Sequence, residues 1–209
     1  MKIIAGTYKG RNFFMPHGIR PTQNLTRKAL FDFLGQDLTG LTFLDLFAGS
    51  GGVGFEALSR GAQKVTFVEK DERSSELIRE NLDLLGVPLL GSNRQTPSMA
   101  GQAVYEMVAA DAFASIKRFA AGGRKFDIVF ADPPYTIGLA KKILKTLGAY
   151  DIVTANCIVV IQHAKEEILP ESQGSARNPR NPRNLVRSEQ RKYGSTVLSI
   201  YQLETRNPK

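Results

Sequence analysis

Short apolar runs alternate with helical segments along this chain from residue 41 onward. The runs are typical of buried strands and cover residues 41–47, 64–68, 103–108, 126–131, 157–161 and 196–203. The segments between them have helical periodicity, at residues 54–60, 71–85, 111–121 and 137–147. Strand–helix alternation predicts an α/β fold with a largely parallel sheet and helices on both faces.

Residues 1–40 depart from this alternation and predict a small extension. Residues 2–11 suggest a short strand and a glycine-containing turn that exposes basic side chains. Residues 26–38 carry apolar side chains at helical spacing, which predicts an amphipathic helix. We therefore expect a basic extension over residues 1–40 and an α/β domain over residues 41–209.

Two further segments predict loops, because they are rich in residues that favour turns over helices and strands. Residues 88–101 contain many Gly, Ser, Pro and Asn residues. Residues 171–184 contain a doubled Asn-Pro-Arg, at 178–180 and 181–183, which is typical of a mobile basic loop.

Composition excludes several classes of protein. The single cysteine, Cys157, excludes an internal disulfide, and its apolar surroundings predict a buried thiol. We expect His163, which follows the same run, to be a surface histidine. The sequence has no Cys/His cluster at metal-ligand spacing, so we expect no metal. No apolar stretch approaches the ~18 residues of a membrane span, and the N-terminus lacks the apolar core of a signal peptide. We expect a cytoplasmic monomer without a membrane partner.

The basic charge lies at the two ends of the chain. The net charge is +8; residues 1–40 hold six Lys/Arg and two Asp, and residues 171–209 hold eight Lys/Arg and three Glu. The middle is therefore close to neutral. A near-neutral core with basic ends suits an enzyme that acts on a polyanion, and indicates a nucleic-acid partner.

A glycine-rich loop follows the first strand and opens the next helix. Gly49, Gly51 and Gly54 have the Gly-x-Gly-x-x-Gly spacing, and Glu69 ends the next strand. Phe55 excludes a Walker phosphate loop, which needs lysine there, and Ala48 excludes a hydrolase nucleophile elbow. The layout indicates a nucleotide-like ligand at the carboxyl edge of the sheet, with Glu69 accepting from the ribose hydroxyls. We expect Gly54 to serve helix–strand packing.

Dinucleotides and S-adenosylmethionine both use such a layout, and three features favour the methyl donor. Asp45 can hold a cationic amino end, Phe47 and Ala48 replace the glycines of many dinucleotide sites, and Asp111 can accept from an adenine amino group. The predicted donor site comprises Asp45, Phe47, Ala48, Gly49, Ser50, Gly51, Glu69, Lys70, Asp111, Ala112 and Asp132.

The sequence Asp132-Pro133-Pro134-Tyr135 directly follows a buried strand and carries the predicted catalytic residues. Two prolines cannot continue a strand or a helix, so they fix a rigid extended loop. An amino group conjugated to a ring is a poor nucleophile, because its lone pair is delocalised. The Asp132 carboxylate and the Pro133 carbonyl can accept its two hydrogens, while the Tyr135 ring can stack on the base. The loop therefore suits methyl transfer to the amino group of a nucleobase.

With these residues the chain resembles the RsmD family of 16S rRNA guanine-N2 methyltransferases nearly from end to end. The shared residues include Ile3-Ile4-Ala5-Gly6, Lys9-Gly10-Arg11, Arg20-Pro21-Thr22, Arg27, Leu30-Phe31, Tyr193-Gly194 and, at the predicted site, residues 45–51, 56–62 and 132–135. The resemblance implies a class I S-adenosylmethionine-dependent methyltransferase fold. It is a Rossmann-like, mostly parallel seven-stranded sheet with an N-terminal β-hairpin and helix extension.

The same resemblance implies N2 methylation of a guanine in 16S rRNA, on an assembling 30S subunit. It implies RNA contacts by Lys9, Arg11, Arg20, Thr22 and Arg27. The sequence departs from the family pattern in three places. Asn24-Leu25 replaces an Asp-Arg pair, Lys28 replaces a glutamate, and Gln162 stands where an acid is common.

Three other functions stay open at this point. The same loop serves adenine-N6 methylation of DNA or RNA, although 209 residues leave no space for a large target-recognition domain. The chain could also be a non-catalytic ribosome-assembly factor, but the intact loop at residues 132–135, here called the Asp132 loop, argues against this. An NAD-dependent oxidoreductase lacks an evident acid or base for hydride transfer after the glycine loop.

Overall fold

The computed structural model describes residues 1–15, 24–90, 104–136, 138–174 and 184–204. Their contacts divide the chain into two units, Met1–Ala112 and Phe113–Lys209. The extension predicted over residues 1–40 lies inside the first unit, and its separation as a domain stays a prediction. Most of the predicted loop 88–101 lies outside the described residues.

The described part of the first unit is built on three parallel strands. They are β1 (Thr42–Leu46), β2 (Lys64–Glu69) and β3 (Val104–Ala109), with β2 paired to both neighbours. β1 and β2 are buried apart from their ends. Parallel strands covered on both faces have this almost continuous apolar character, which is why the sequence predicted them well.

Among the described residues, three helices complete the first unit: α1 (Asn24–Leu34), α2 (Gly52–Ser59) and α3 (Glu72–Leu85). Every residue of α2 is buried. α3 has matching local signals at its ends, since the Asp71 side chain accepts from the Ser74 N–H at 2.8 Å and Gly86 ends the helix in a left-handed conformation.

The N-terminal segment forms a hairpin-like turn that packs on α2. Lys2 and Asn12 form an antiparallel bridge, as expected for the predicted strand and turn. At the tip, the Thr7 N–H donates to the Ser59 carbonyl at 2.7 Å, and the Tyr8 N–H donates to the Ser59 hydroxyl at 2.9 Å. The end of α2 therefore anchors the hairpin through backbone hydrogen bonds.

A buried charge cluster joins the hairpin, α1 and α2. The Glu56 carboxylate lies 3.5 Å from the guanidinium groups of both Arg27 and Arg60, and the Arg27 and Glu56 side chains are fully buried. Glu56 also accepts from the Ile4 N–H. Arg27 donates to the Lys2 carbonyl at 2.6 Å. The cluster therefore fixes the hairpin to the helices with hydrogen bonds to charged groups, which are stronger than neutral ones.

The described residues of the second unit form two helices and five strands. Their bounds are α4 (Ala112–Ala121), β4 (Phe126–Ala131), α5 (Leu139–Ala149), β5 (Val153–Ala164), β6 (Ser172–Gly174), β7 (Asn184–Tyr193) and β8 (Thr196–Leu203). The first residue of α4 belongs to the first unit. The strand order is β4-β5-β8-β7-β6. β4 and β5 are parallel, whereas the other pairings are antiparallel. Cys157 is buried in β5, as predicted.

The sequence analysis missed β6 and β7. β6 lies within the loop predicted at residues 171–184, so that prediction is wrong there; residues 175–183 lie outside the described part of the chain. β7 carries mostly polar side chains, and its backbone pairs with β8 on one side and β6 on the other. Pairing of this kind leaves no apolar pattern in the sequence. β6 brings the described strands to eight, one more than the seven expected.

Candidate functional site

The glycine loop of the first unit turns sharply between β1 and α2. Phe47, Gly49 and Gly51 all have positive φ, at 61°, 53° and 76°. Gly51 is the N-cap of α2. A non-glycine residue in this region costs of order 1–3 kcal/mol and persists where its surroundings impose it, often at ligand sites. The positive φ of Phe47 therefore indicates that the surrounding fold imposes the conformation of this turn.

The Asp45 side chain stabilises this turn through a hydrogen bond. Its side chain is buried in β1, and its Oδ2 accepts from the Gly54 N–H at 3.0 Å. A Cβ on Gly54 would lie 2.1 Å from the Phe67 ring, so the predicted packing role of Gly54 is confirmed. Asp45 therefore holds the first turn of α2 against the strand. Its contact with the amino end of a donor stays a prediction.

Glu69 reaches from the end of β2 to the glycine loop. Its Oε2 accepts from the Gly49 N–H at 2.8 Å, and its Oε1 accepts from the Asp71 N–H at 2.9 Å. A carboxylate oxygen has two lone pairs, so each can accept a further hydrogen bond. The carboxylate is thus oriented by the backbone with capacity for two hydroxyl groups.

The other predicted donor residues of the first unit follow the same strands. Ser50 lies in the glycine loop and is partly exposed, and Lys70 is exposed just after β2. β3 pairs with β2 through Ala109 and Glu69 at its end, and Asp111 and Ala112 follow it. Asp111 is exposed, whereas Ala112 is buried. The first unit therefore places these residues at the carboxyl ends of β1, β2 and β3, as the sequence predicted.

The Asp132 loop of the second unit leaves the end of β4. Pro133 is buried and Pro134 exposed, and the Pro134 carbonyl accepts from the Thr136 N–H at 2.6 Å. The Tyr135 side chain is 45% exposed, while its hydroxyl lies 3.0 Å from the Thr196 hydroxyl on β8. Anchoring by the hydroxyl leaves part of the ring accessible for stacking.

Gln162 contacts both functional side chains of this loop. Its Nε2 donates to Asp132 Oδ2 at 2.9 Å and to the Tyr135 hydroxyl at 3.2 Å. The sequence analysis noted Gln162 as a departure from the family pattern that could line this edge of the sheet, and gave Thr196 no role. The signal for Gln162 was a polar amide directly after the apolar run 157–161, whereas Thr196 gave none.

His163, next to Gln162, is buried rather than exposed, so the prediction of a surface histidine is wrong. Its Nδ1 donates to the Ala164 carbonyl at 2.8 Å, which leaves Nε2 to accept from the Ser199 hydroxyl at 2.8 Å. Burial lowers the pKa of His163. This neutral imidazole has a structural role between β5 and β8.

The predicted RNA-binding residues have different surroundings. Lys9 and Arg11 are exposed on the hairpin, where Arg11 Nη2 donates to the Leu84 carbonyl at 3.0 Å. Arg27 is fully buried against Glu56, so its predicted contact with RNA is wrong. Arg20 and Thr22 lie outside the described residues. Helix periodicity alone could not predict the burial of Arg27, because its partner lies on another helix.

The described residues contain no group of three or more His, Cys, Asp or Glu placed to hold a metal ion. None of their helices is long and apolar enough to cross a membrane.

The model of the protein family described as conserved hypothetical protein 95 matches residues 1–202. The small-subunit rRNA methyltransferase D of Haemophilus influenzae is 32% identical over 82% of this chain and 84% of its own length. The chain belongs to the RsmD family. The Escherichia coli K12 protein of the same name is 29% identical, over 98% of this chain and 90% of its own.

Solved structures share the fold of this chain. A Thermus thermophilus protein described as hypothetical has a TM-score of 0.74 and 30% identity, over 97% of this chain and 99% of its own. The 16S rRNA N2 G1207 methyltransferase RsmC of T. thermophilus, solved with AdoMet and guanosine, has a TM-score of 0.60 and 16% identity. It matches 89% of this chain and 44% of its own length, and shows likeness of fold. The chain has the class I methyltransferase fold.

Proposed function

We propose that this chain transfers a methyl group from S-adenosylmethionine to the N2 amino group of a guanine in 16S rRNA. The observation that carries the proposal is the Asp132 loop, in which a carboxylate and a half-exposed aromatic ring are held by hydrogen bonds from β5 and β8. Small-subunit rRNA methyltransferases D among its relatives support the choice of RNA.

The first unit fits the donor that the proposal requires. Glu69 is oriented by two backbone N–H groups and retains capacity for the two ribose hydroxyls. The exposed Asp111 is proposed to accept from the adenine amino group. The rest of the proposed donor site in this unit comprises Asp45, Phe47, Ala48, Gly49, Ser50, Gly51, Lys70 and Ala112.

The chemistry assigns a distinct role to each group of the loop. Asp132 and the Pro133 carbonyl accept the two amino hydrogens, which localises the lone pair on nitrogen. That nitrogen takes the methyl carbon, and the bonding pair between carbon and sulfur stays on sulfur as a neutral thioether. The nitrogen then loses one proton to Asp132 and on to solvent. Stacking on Tyr135, worth ~1–3 kcal/mol, holds the base after it has left its helix.

The proposed substrate is an assembling 30S subunit in the cytoplasm, bound by a monomer of this chain. The exposed Lys9 and Arg11 of the hairpin are proposed phosphate contacts, with Arg20 and Thr22 beyond the described residues. Phosphate contacts position a protein on RNA without reading sequence. The nucleotide is then chosen by the fit of the base against Asp132 and Tyr135.

Methyl transfer to 30S particles from a strain that lacks this protein tests the proposal. We expect radiolabel from S-adenosylmethionine in 16S rRNA, recovered as N2-methylguanosine after digestion, and no transfer by Asp132→Ala. The Asp132→Ala variant should still bind the donor in a calorimetric titration, since Glu69 and the glycine loop are unchanged. N6-methyladenosine as the product would favour the adenine alternative, and donor binding without any transfer would favour an assembly factor.

A further inference from the structure

Gln162 uses its whole donor capacity on the Asp132 loop. A primary amide nitrogen carries two hydrogens. In Gln162 the nitrogen lies 2.9 Å from Asp132 Oδ2 and 3.2 Å from the Tyr135 hydroxyl oxygen. The residue is 5% exposed, so few rotamers are open to it. Rotation of the amide would break both hydrogen bonds together.

The charge of Asp132 fixes which end of the amide faces the loop. An ionised carboxylate accepts hydrogen bonds and donates none. With the amide reversed, Gln162 Oε1 would face Asp132 Oδ2, acceptor against acceptor. The observed orientation has its own cost, because Oε1 is buried with no hydrogen-bond partner in the part of the chain that the structure describes. The hydrogen bonds from its NH₂ to Asp132 and Tyr135 offset that cost.

The next hydrogen bond joins the loop to β8. The Tyr135 hydroxyl accepts from Gln162, and it lies 3.0 Å from Thr196 Oγ1, to which it can donate its own hydrogen. Thr196 pairs with Ala164 across β5 and β8. Two adjacent strands thus hold the loop at two points, through Gln162 and Thr196.

We propose that Gln162 is a positioning residue for the amino-directed methyl transfer. Its NH₂ holds the Asp132 carboxylate and the Tyr135 ring in one arrangement, in which a flat amino-bearing ring meets both. This inference rests on the proposed function. In this chain an amide links Asp132 to Tyr135 at a position where the family pattern commonly has an acid.

One substitution and a matched control separate positioning from packing. Gln162→Leu removes both hydrogen bonds at similar volume. Gln190→Leu is the matched control, since Gln190 is an exposed residue of β7 whose amide donates to Ser199. For each variant, kcat and KM with 30S particles, the Kd for S-adenosylmethionine and Tm are measured.

We expect kcat to fall about 10²-fold for Gln162→Leu, the size that a ~1 Å misplacement produces. The Kd for S-adenosylmethionine should stay within about twofold, and Gln190→Leu should keep the wild-type kcat. An unchanged kcat in Gln162→Leu would overturn the inference. A loss of kcat that Gln190→Leu also shows would overturn it too, as would a loss of kcat accompanied by equally weaker binding of S-adenosylmethionine.

The order of the Tyr135 ring can be measured without methyl transfer, and it therefore tests this inference separately from the proposed function. The ¹³C-labelled Tyr135 ring, assigned with Tyr135→Phe, reports ring order by NMR relaxation. We expect an ordered ring in the wild type and increased ring motion in Gln162→Leu. Equal order in the two proteins would refute positioning by Gln162, even if the wild type methylates 30S particles. An inactive wild type with the expected change in ring order would refute the proposed function alone.

Discussion

The hairpin tip provides a prediction whose magnitude follows from the geometry of Gly6. Gly6 has φ +80°, and a Cβ built on it would lie 1.7 Å from the Ser59 carbonyl oxygen and 2.3 Å from the carbonyl carbon. These are backbone atoms of α2, which cannot rotate away. Gly6→Ala must therefore lift the hairpin from the helix.

Two terms set the size of the effect. A non-glycine residue in the left-handed region costs roughly 1–2 kcal/mol. Lifting the hairpin also breaks the hydrogen bonds from Thr7 and Tyr8 to Ser59, at about 0.5–1.5 kcal/mol each. We expect Gly6→Ala to lower the free energy of unfolding by about 2–5 kcal/mol.

Gly10→Ala is the matched control for Gly6→Ala. Gly10 has φ +81° in the same hairpin, and a Cβ there would meet nothing within 4 Å. Urea unfolding should show a loss of roughly 1–2 kcal/mol for this control, the cost of the backbone conformation alone. Amide exchange of Thr7 and Tyr8 should accelerate in Gly6→Ala and not in Gly10→Ala. Equal losses of stability in the two variants would refute the argument from the Ser59 contact.

Three further predictions concern buried and exposed charges. Arg27→Met should destabilise the protein by about 3 kcal/mol in urea unfolding, because it removes one of two cations from the buried Glu56; a loss below about 1 kcal/mol would contradict this. Burial lowers the pKa of His163 below its ordinary 6.5, so its contribution to stability is complete above pH 6.5 and is lost as the pH falls from there towards the folded pKa. His163→Gln should remove that part of the pH dependence, and an unchanged slope below pH 6.5 would refute it. We expect replacement of both Lys9 and Arg11 by Ala to reduce the slope of log K for 16S rRNA binding against log salt concentration by about 1–2, because each phosphate contact on a single strand contributes ~0.7. An unchanged slope would exclude both residues as phosphate contacts.

The sequence predicted what short-range patterns encode. The apolar runs of β1, β2 and β4 predict strands, and the glycines between β1 and α2 predict a turn. Both patterns involve only residues that are close in the sequence. The position of Glu69 at the end of β2 followed from the same patterns. The exposed part of Tyr135 likewise follows from two prolines that end a strand.

The parts that the sequence did not predict depend on distant partners. β7 is a strand because β8 and β6 pair with its backbone, and polar side chains do not reveal that. Arg27 resembles a surface residue of an amphipathic helix until Glu56 on α2 buries it. Gln162 lies on β5, 30 residues after Asp132, and its role became visible only when the strand end and the loop were placed together.

Mass-spectrometric mapping of 16S rRNA from cells with and without the gene tests the central claim most directly. We expect one N2-methylguanosine to be lost on deletion, restored by the wild-type chain and not by Asp132→Ala. An identical set of N2-methylguanosines in both strains would contradict the account, as would restoration by the Asp132→Ala variant.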